Sequence, residues 1–170
     1  YNGPPCENPK SAVNSEIADG LTEIVAIEGP MIAKRAYDIY LRGCGIHRLG
    51  RELHKKMNRA LQYAIHEEMI AHEDELKKGG FLYSVVRLKG TPPVRLRKRG
   101  SRLLEEIPPS ELNAVSLYLA EKDGYEMGSE EHLRMVLEWF DLKRLTSQAI
   151  GVLQAFITMN FPYVHELLQE

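Results

Sequence analysis

Cysteine is scarce in this sequence. Cys6 and Cys44 are the only two in 170 residues. Two cysteines cannot form the disulfide framework by which small secreted domains replace a large core, so reduced thiols and a cytoplasmic location are expected. Long apolar runs are missing too. Nothing reaches the roughly 18 residues a spanning helix needs, so no membrane contact is expected. No signal-peptide pattern opens the chain. The first residue is Tyr1 and not Met, so a piece of a longer protein is expected.

Catalytic and cofactor patterns are equally sparse. GPM, GCG and KKGGF fit neither the Walker nor the dinucleotide pattern, which leaves no Gly-rich cradle for phosphate. Cys44 and His47 have metal-like spacing, with His54 further on, but a zinc site needs about four ligands and no second pair is near. HEEMIAH at 66–72 places its second histidine six positions after the first, where a helical H-E-x-x-H site needs four. Glu105 and Glu106 are adjacent carboxylates with no accompanying partner for acid–base chemistry. The expectation is a non-enzyme with no catalytic residue, metal or cofactor.

Acid is absent from one stretch, RLKGTPPVRLRKRGSR at 87–102, which holds seven basic residues: Arg87, Lys89, Arg95, Arg97, Lys98, Arg99 and Arg102. The whole chain has a net charge of −2, because 1–86 carries 11 basic and 12 acidic residues and 103–170 carries 4 and 12. Such segregation suggests that a polyanion is met at one place. The alternative is that the strip pairs with the acidic C-terminal third.

Apolar residues make up 44% of the chain, enough for real cores in one large domain or two small ones. Val13, Ile17, Leu21, Ile24 and Val25 recur at helical spacing, with Asn14 or Ser15 as a cap and Gly29-Pro30 as a stop. Pro30 suits the first turn of a second helix striped by Ile32, Ala36, Ile39 and Tyr40 and ended by Gly43 and Gly45. After a short turn, IHR, a third helix buries Leu49, Leu53, Met57, Ala60, Leu61 and Ala64. At 100° per residue its outward face holds Arg48, Arg51, Lys55, Asn58, Arg59, Gln62 and His66, with Glu52 and Glu67 nearer the buried edge. MIAHEDE and FLYSVVRL then read as two strands joined by LKKGG.

Two helices, a turn, a third helix with a basic outer face and a hairpin describe a winged helix-turn-helix, in which the last helix enters the major groove. Arg51, Lys55 and Arg59 lie four apart and make one ridge. Arginine can bond guanine bidentately and Asn58 can read adenine. Arg48 joins them, while Arg87, Lys89, Arg95, Arg97, Lys98 and Arg99 are placed where a wing and its exit meet phosphates. The expected partner is DNA, in duplex form.

The C-terminal third is helical again. PPSELNAVSLYLAEKDG has Ser110 as a cap and Asp123-Gly124 as a stop. GSEEHLRMVLEWF starts at Ser129 and buries Leu133, Val136, Leu137 and Phe140, and TSQAIGVLQAFITMNFP ends at Pro162. The last of these has no charge, so burial on several sides is expected, against the first subdomain or in a homodimer through 146–161. IHRL at 46–49 and LKRL at 142–145, with Ser15-Glu16-Ile17 and Ser110-Glu111-Leu112, suggest a degenerate tandem repeat.

The run EIVAIEGPMIAKRAYDIYLRGCGIHRLGRELHKKMNRAL, with GTPPVRLRKRG and LEEIPPSEL, resembles a family of unknown function in the C-terminal region of large bacterial helicase- and endonuclease-like proteins. The resemblance spans roughly 15–150. It implies an accessory module beside a motor or nuclease domain, with the other domains of that parent protein as partners. The fold expected is mainly α (α+β): an extended tail at 1–12, a winged helix-turn-helix at 13–90, a connector at 91–109, a second three-helix subdomain at 110–161 and a tail at 162–170. The competing expectation is an interaction or oligomerisation module without DNA binding.

Overall fold

A computed structural model describes residues 8–169. Cys6 and the rest of 1–7, and Glu170, lie outside the described residues. The chain divides into two compact units, 1–91 and 92–170. It is mainly helical, with one small antiparallel sheet, and no described helix is long and apolar enough to cross a membrane.

Unit 1 follows the order α1 (Asn14–Glu28), β1 (Met31–Ile32), α2 (Ala33–Gly43), α3 (Arg51–His66), β2 (Ile70–Glu73) and β3 (Val85–Leu88). Of the tail expected at 1–12, the described part forms a turn at 8–12: Asn8 accepts from the Ser11 N–H and, through its side chain, from the Lys10 N–H. α1 buries Ile17, Leu21, Ile24 and Val25 along one stripe. Its flanking residue is Val13, and neither Asn14 nor Ser15 caps it. At its other end the Gly29 N–H bonds the Val25 carbonyl at 2.8 Å. A Cβ at Gly29 would sit 2.5 Å from that oxygen, so only glycine permits this exit.

Pro30 does not open α2. Met31 and Ile32, both buried, pair with Val86 and Val85 as a short strand, and the helix starts only at Ala33. Burial of two apolar residues against a strand more than fifty positions away overrides the local preference for a helix start. The sheet order is β1-β3-β2, so β3 is central. The strands are shorter than the pattern suggests. Ser84 turns back to bond the Phe81 carbonyl, and the Leu82 and Ser84 carbonyls take the Lys34 and Ala33 N–H groups. Phe81 and Leu82 thereby pack on the core instead of extending the hairpin.

α2 and α3 contribute Ala36, Tyr37, Ile39, Tyr40 and Leu41, and Leu53, Met57, Ala60, Leu61 and Ala64, to a core shared with α1 and β3. The turn between them runs over 44–50, longer than expected, and half-buries Ile46 and Leu49.

Unit 2 holds an irregular segment, a short 3-10 turn at Leu104–Glu106, then α4 (Pro109–Asp123), α5 (Glu130–Trp139), α6 (Ser147–Ile157) and α7 (Pro162–Gln169). The residues expected as a connector and as a tail are therefore parts of this unit's fold: Val94 and Ile107 are buried, and α7 buries Val164. α4 is the hub, packing against the other three helices. It begins after Pro108, and Ser110, the expected cap, is fully buried. Gly124 ends it with φ 71°, a left-handed exit open to glycine. Ser129 caps α5, accepting from the His132 N–H, and Thr146 caps α6.

α6 differs from expectation. Only Ala149 and Leu153 are buried, so one face packs and the other is open. Lack of charge does not impose burial, because glutamine, serine and glycine fill the outer face.

Candidate nucleic-acid interface

α3 offers its surface because five apolar residues at helical spacing, from Leu53 to Ala64, pull the opposite face into the core. Arg51, Lys55 and Arg59 are all exposed, and Arg48 is exposed in the turn before them. The expected ridge exists. The face is not free of acid, however. Glu52, expected nearer the buried edge, has 81% of its side chain exposed and sits 3.6 Å from the Lys55 Nζ. Glu67 is also exposed. An exposed pair of this kind contributes at most about 1 kcal/mol, so an incoming phosphate can displace Glu52.

Asn58 is engaged inside unit 1. Its Oδ1 accepts from the Tyr37 hydroxyl at 2.9 Å, and its Nδ2 lies 3.3 Å from the His54 Nε2. Burial pushes the Tyr37 hydroxyl well above the ordinary tyrosine range and keeps it a neutral donor. The Tyr37–Asn58 bond ties α3 to α2, and Asn58 positions the helix.

Arg87 is half-buried and donates to the Thr91 carbonyl at 2.6 Å. Lys89 is exposed, 3.6 Å from Glu68. The other basic residues of the strip belong to unit 2, where most serve its interior. Arg102 is buried and grips the buried Glu111 with two bonds, 2.7 and 2.8 Å. Arg97 lies 3.4 Å from the same carboxylate. Desolvation lowers its pKa, and the Glu111 charge opposes that shift. Arg99 donates to the Phe140 and Arg102 carbonyls. Lys98 lies over the Trp139 ring, and Arg95 is exposed. Internal pairing with an acid of the C-terminal third, the alternative set against a polyanion site, holds for Arg97 and Arg102.

Against known proteins the chain stands apart: no family model, curated protein or solved structure matches it.

The β2–β3 connection carries two further exposed cations. Asp74 accepts from the Lys78 and Gly79 N–H groups, folding a turn that leaves Lys77 and Lys78 exposed. Lys78 lies 4.3 Å over the Tyr83 ring. LKKGG marks a turn in the sequence, and its paired lysines at a hairpin tip are the signal for this second basic point.

Among the described residues no group of three or more metal-ligating side chains converges. Cys44 is disulfide-bonded, contrary to the expected reduced thiol. Two adjoining cavities of about 430 and 410 Å³ lie along the α5–α6 turn in unit 2, sharing Leu137, Leu142 and Lys143.

Proposed function

We propose that unit 1 is a winged helix-turn-helix that binds duplex DNA, with α3 in the major groove and the β2–β3 hairpin as the wing. The observation that carries this reading is the exposed Arg51–Lys55–Arg59 ridge, on a helix whose opposite face is core. The element order and the β1-β3-β2 sheet support it. Arg51 and Arg59 are the base-reading candidates, since Asn58 is held by Tyr37. Arg48, Lys55, Lys77, Lys78 and Lys89 supply phosphate contacts. Arg97 and Arg99 drop out, because their guanidinium groups bond within unit 2.

On this reading the chain is a non-catalytic accessory module of a larger bacterial helicase- or nuclease-like protein, and unit 2 is a degenerate second copy of the three-helix arrangement. A cytoplasmic setting belongs to the same proposal, and the disulfide at Cys44 weighs against it.

Fluorescence anisotropy with a random duplex tests the reading. Five phosphate contacts give a log K against log salt slope of roughly −4.5. Replacing Arg51, Lys55 and Arg59 together by alanine will flatten that slope by roughly 0.9, the share of Lys55, and will weaken binding further through the lost base contacts of Arg51 and Arg59. A salt-independent signal would sink the proposal.

A second reading, a homodimerisation module using 146–161, is favoured by the uncharged open face of α6 beside a cavity floored by Leu137, Leu142, Ala149 and Val152. Light scattering separates the two. A stable dimer indifferent to DNA supports the second.

A further inference from the structure

Four side chains of unit 2 form a row with cations at both ends and aromatic rings between. Lys98 Nζ lies 4.6 Å from the Trp139 ring centroid. Trp139 meets Tyr118 edge-on, centroids 5.8 Å apart at 65°. Lys122 Nζ lies 5.2 Å from the Tyr118 ring centre and donates to its hydroxyl at 3.0 Å. The rings are half-buried and the lysines exposed. Trp139 is fixed in place, because its indole N–H donates to the Arg97 carbonyl at 3.2 Å. Trp139 and Tyr118 also pack against the apolar core of unit 2, while Lys98 and Lys122 stay exposed.

We propose that this row is a binding surface for single-stranded nucleic acid, with a base stacking on Trp139 and Lys98 moving from the ring to a neighbouring phosphate. An exposed cation over a ring is a weak contact, and a stacked base outweighs it by roughly tenfold in affinity. The exchange is favourable because the displaced ammonium gains an anionic partner. Arg95, exposed in the same segment as Lys98, adds a second phosphate contact. Lys122 contributes less, since Glu121 and Asp123 flank it. A single strand fits where a duplex does not: its bases can leave the stack and present a flat face, while duplex bases offer only their edges.

Trp139 is the only tryptophan in the chain, so its emission reports on the site directly. The test titrates the full chain with oligo-dT of about 20 nucleotides, in wild type and in the Arg51→Ala, Lys55→Ala, Arg59→Ala background. Saturable quenching of Trp139 in both is expected, so this surface and the duplex reading of unit 1 succeed or fail separately. Lys98→Ala touches no core contact and will weaken the oligonucleotide by roughly fivefold, reducing the salt slope by about 0.7. Inorganic polyphosphate, which has charge but no base, can draw Lys98 off the ring but will quench Trp139 far less than the oligonucleotide does. Unquenched Trp139 at high oligonucleotide, equal quenching by polyphosphate, or an unaltered affinity in Lys98→Ala would each overturn the proposal.

Discussion

Glu111 is 2% exposed and receives Arg102 in a fork of two bonds. Removing one partner of such a buried pair leaves an uncompensated charge, at a cost of about 3–5 kcal/mol. Arg102→Ala will therefore lower the stability of unit 2 by that amount, measured as a shift in a urea titration followed by Trp139 emission. Arg97 cannot replace it fully, since it reaches the carboxylate only at 3.4 Å. Tyr37 offers a pH test in unit 1. Its pKa is raised by burial, so above about pH 10 the unfolded chain ionises while the folded one does not. Stability from Tyr37 is full below that pH and declines as pH rises through it. Stability measured against pH will fall on the alkaline side in wild type and fall less in Tyr37→Phe.

At the scale of elements, α6 shows how a helix end is held from a distance. The Asn113 side chain, on α4, donates to the carbonyls of Phe156, Ile157 and Met159. A helix leaves its last carbonyls without partners inside the helix, and one amide here serves the last turn and the residues just beyond it. Asn113→Ala will cost about 1–3 kcal/mol, read by circular dichroism melts of the full chain. The caps at Ser129 and Thr146 are local and cost about 1 kcal/mol each when lost.

For the whole molecule, the boundary at Thr91 and Pro92 is the consequential feature. Each unit has its own apolar clusters. A chain ending at Thr91 will unfold cooperatively by circular dichroism and, on the proposed reading of unit 1, will bind a duplex as the full chain does. A truncated chain that fails to fold would show that unit 1 depends on unit 2. The boundary also divides the basic strip in sequence. Arg87 and Lys89 close unit 1, and the remaining five open unit 2, where three of them bond carbonyl or carboxylate groups of the fold. Net charge along a sequence window does not distinguish a solvent-facing cation from one placed against a buried carboxylate.

Local patterns alone determined the α1 and α3 stripes, the stops at Gly29 and Gly124, the Ser129 cap and the Arg51–Lys55–Arg59 ridge. Each depends on residues within about a turn of one another, where helical spacing and cap chemistry act directly. Tertiary structure decided the rest. β1 exists because Val85 and Val86 pair with it. Asn58 points inward because Tyr37, 21 residues earlier, donates to it. Arg99 is committed because the Phe140 carbonyl lies 41 residues on. A hydrogen bond or strand pairing across such separations leaves no periodic trace in the chain, since its partner is chosen by the packing of whole helices and not by neighbouring residues.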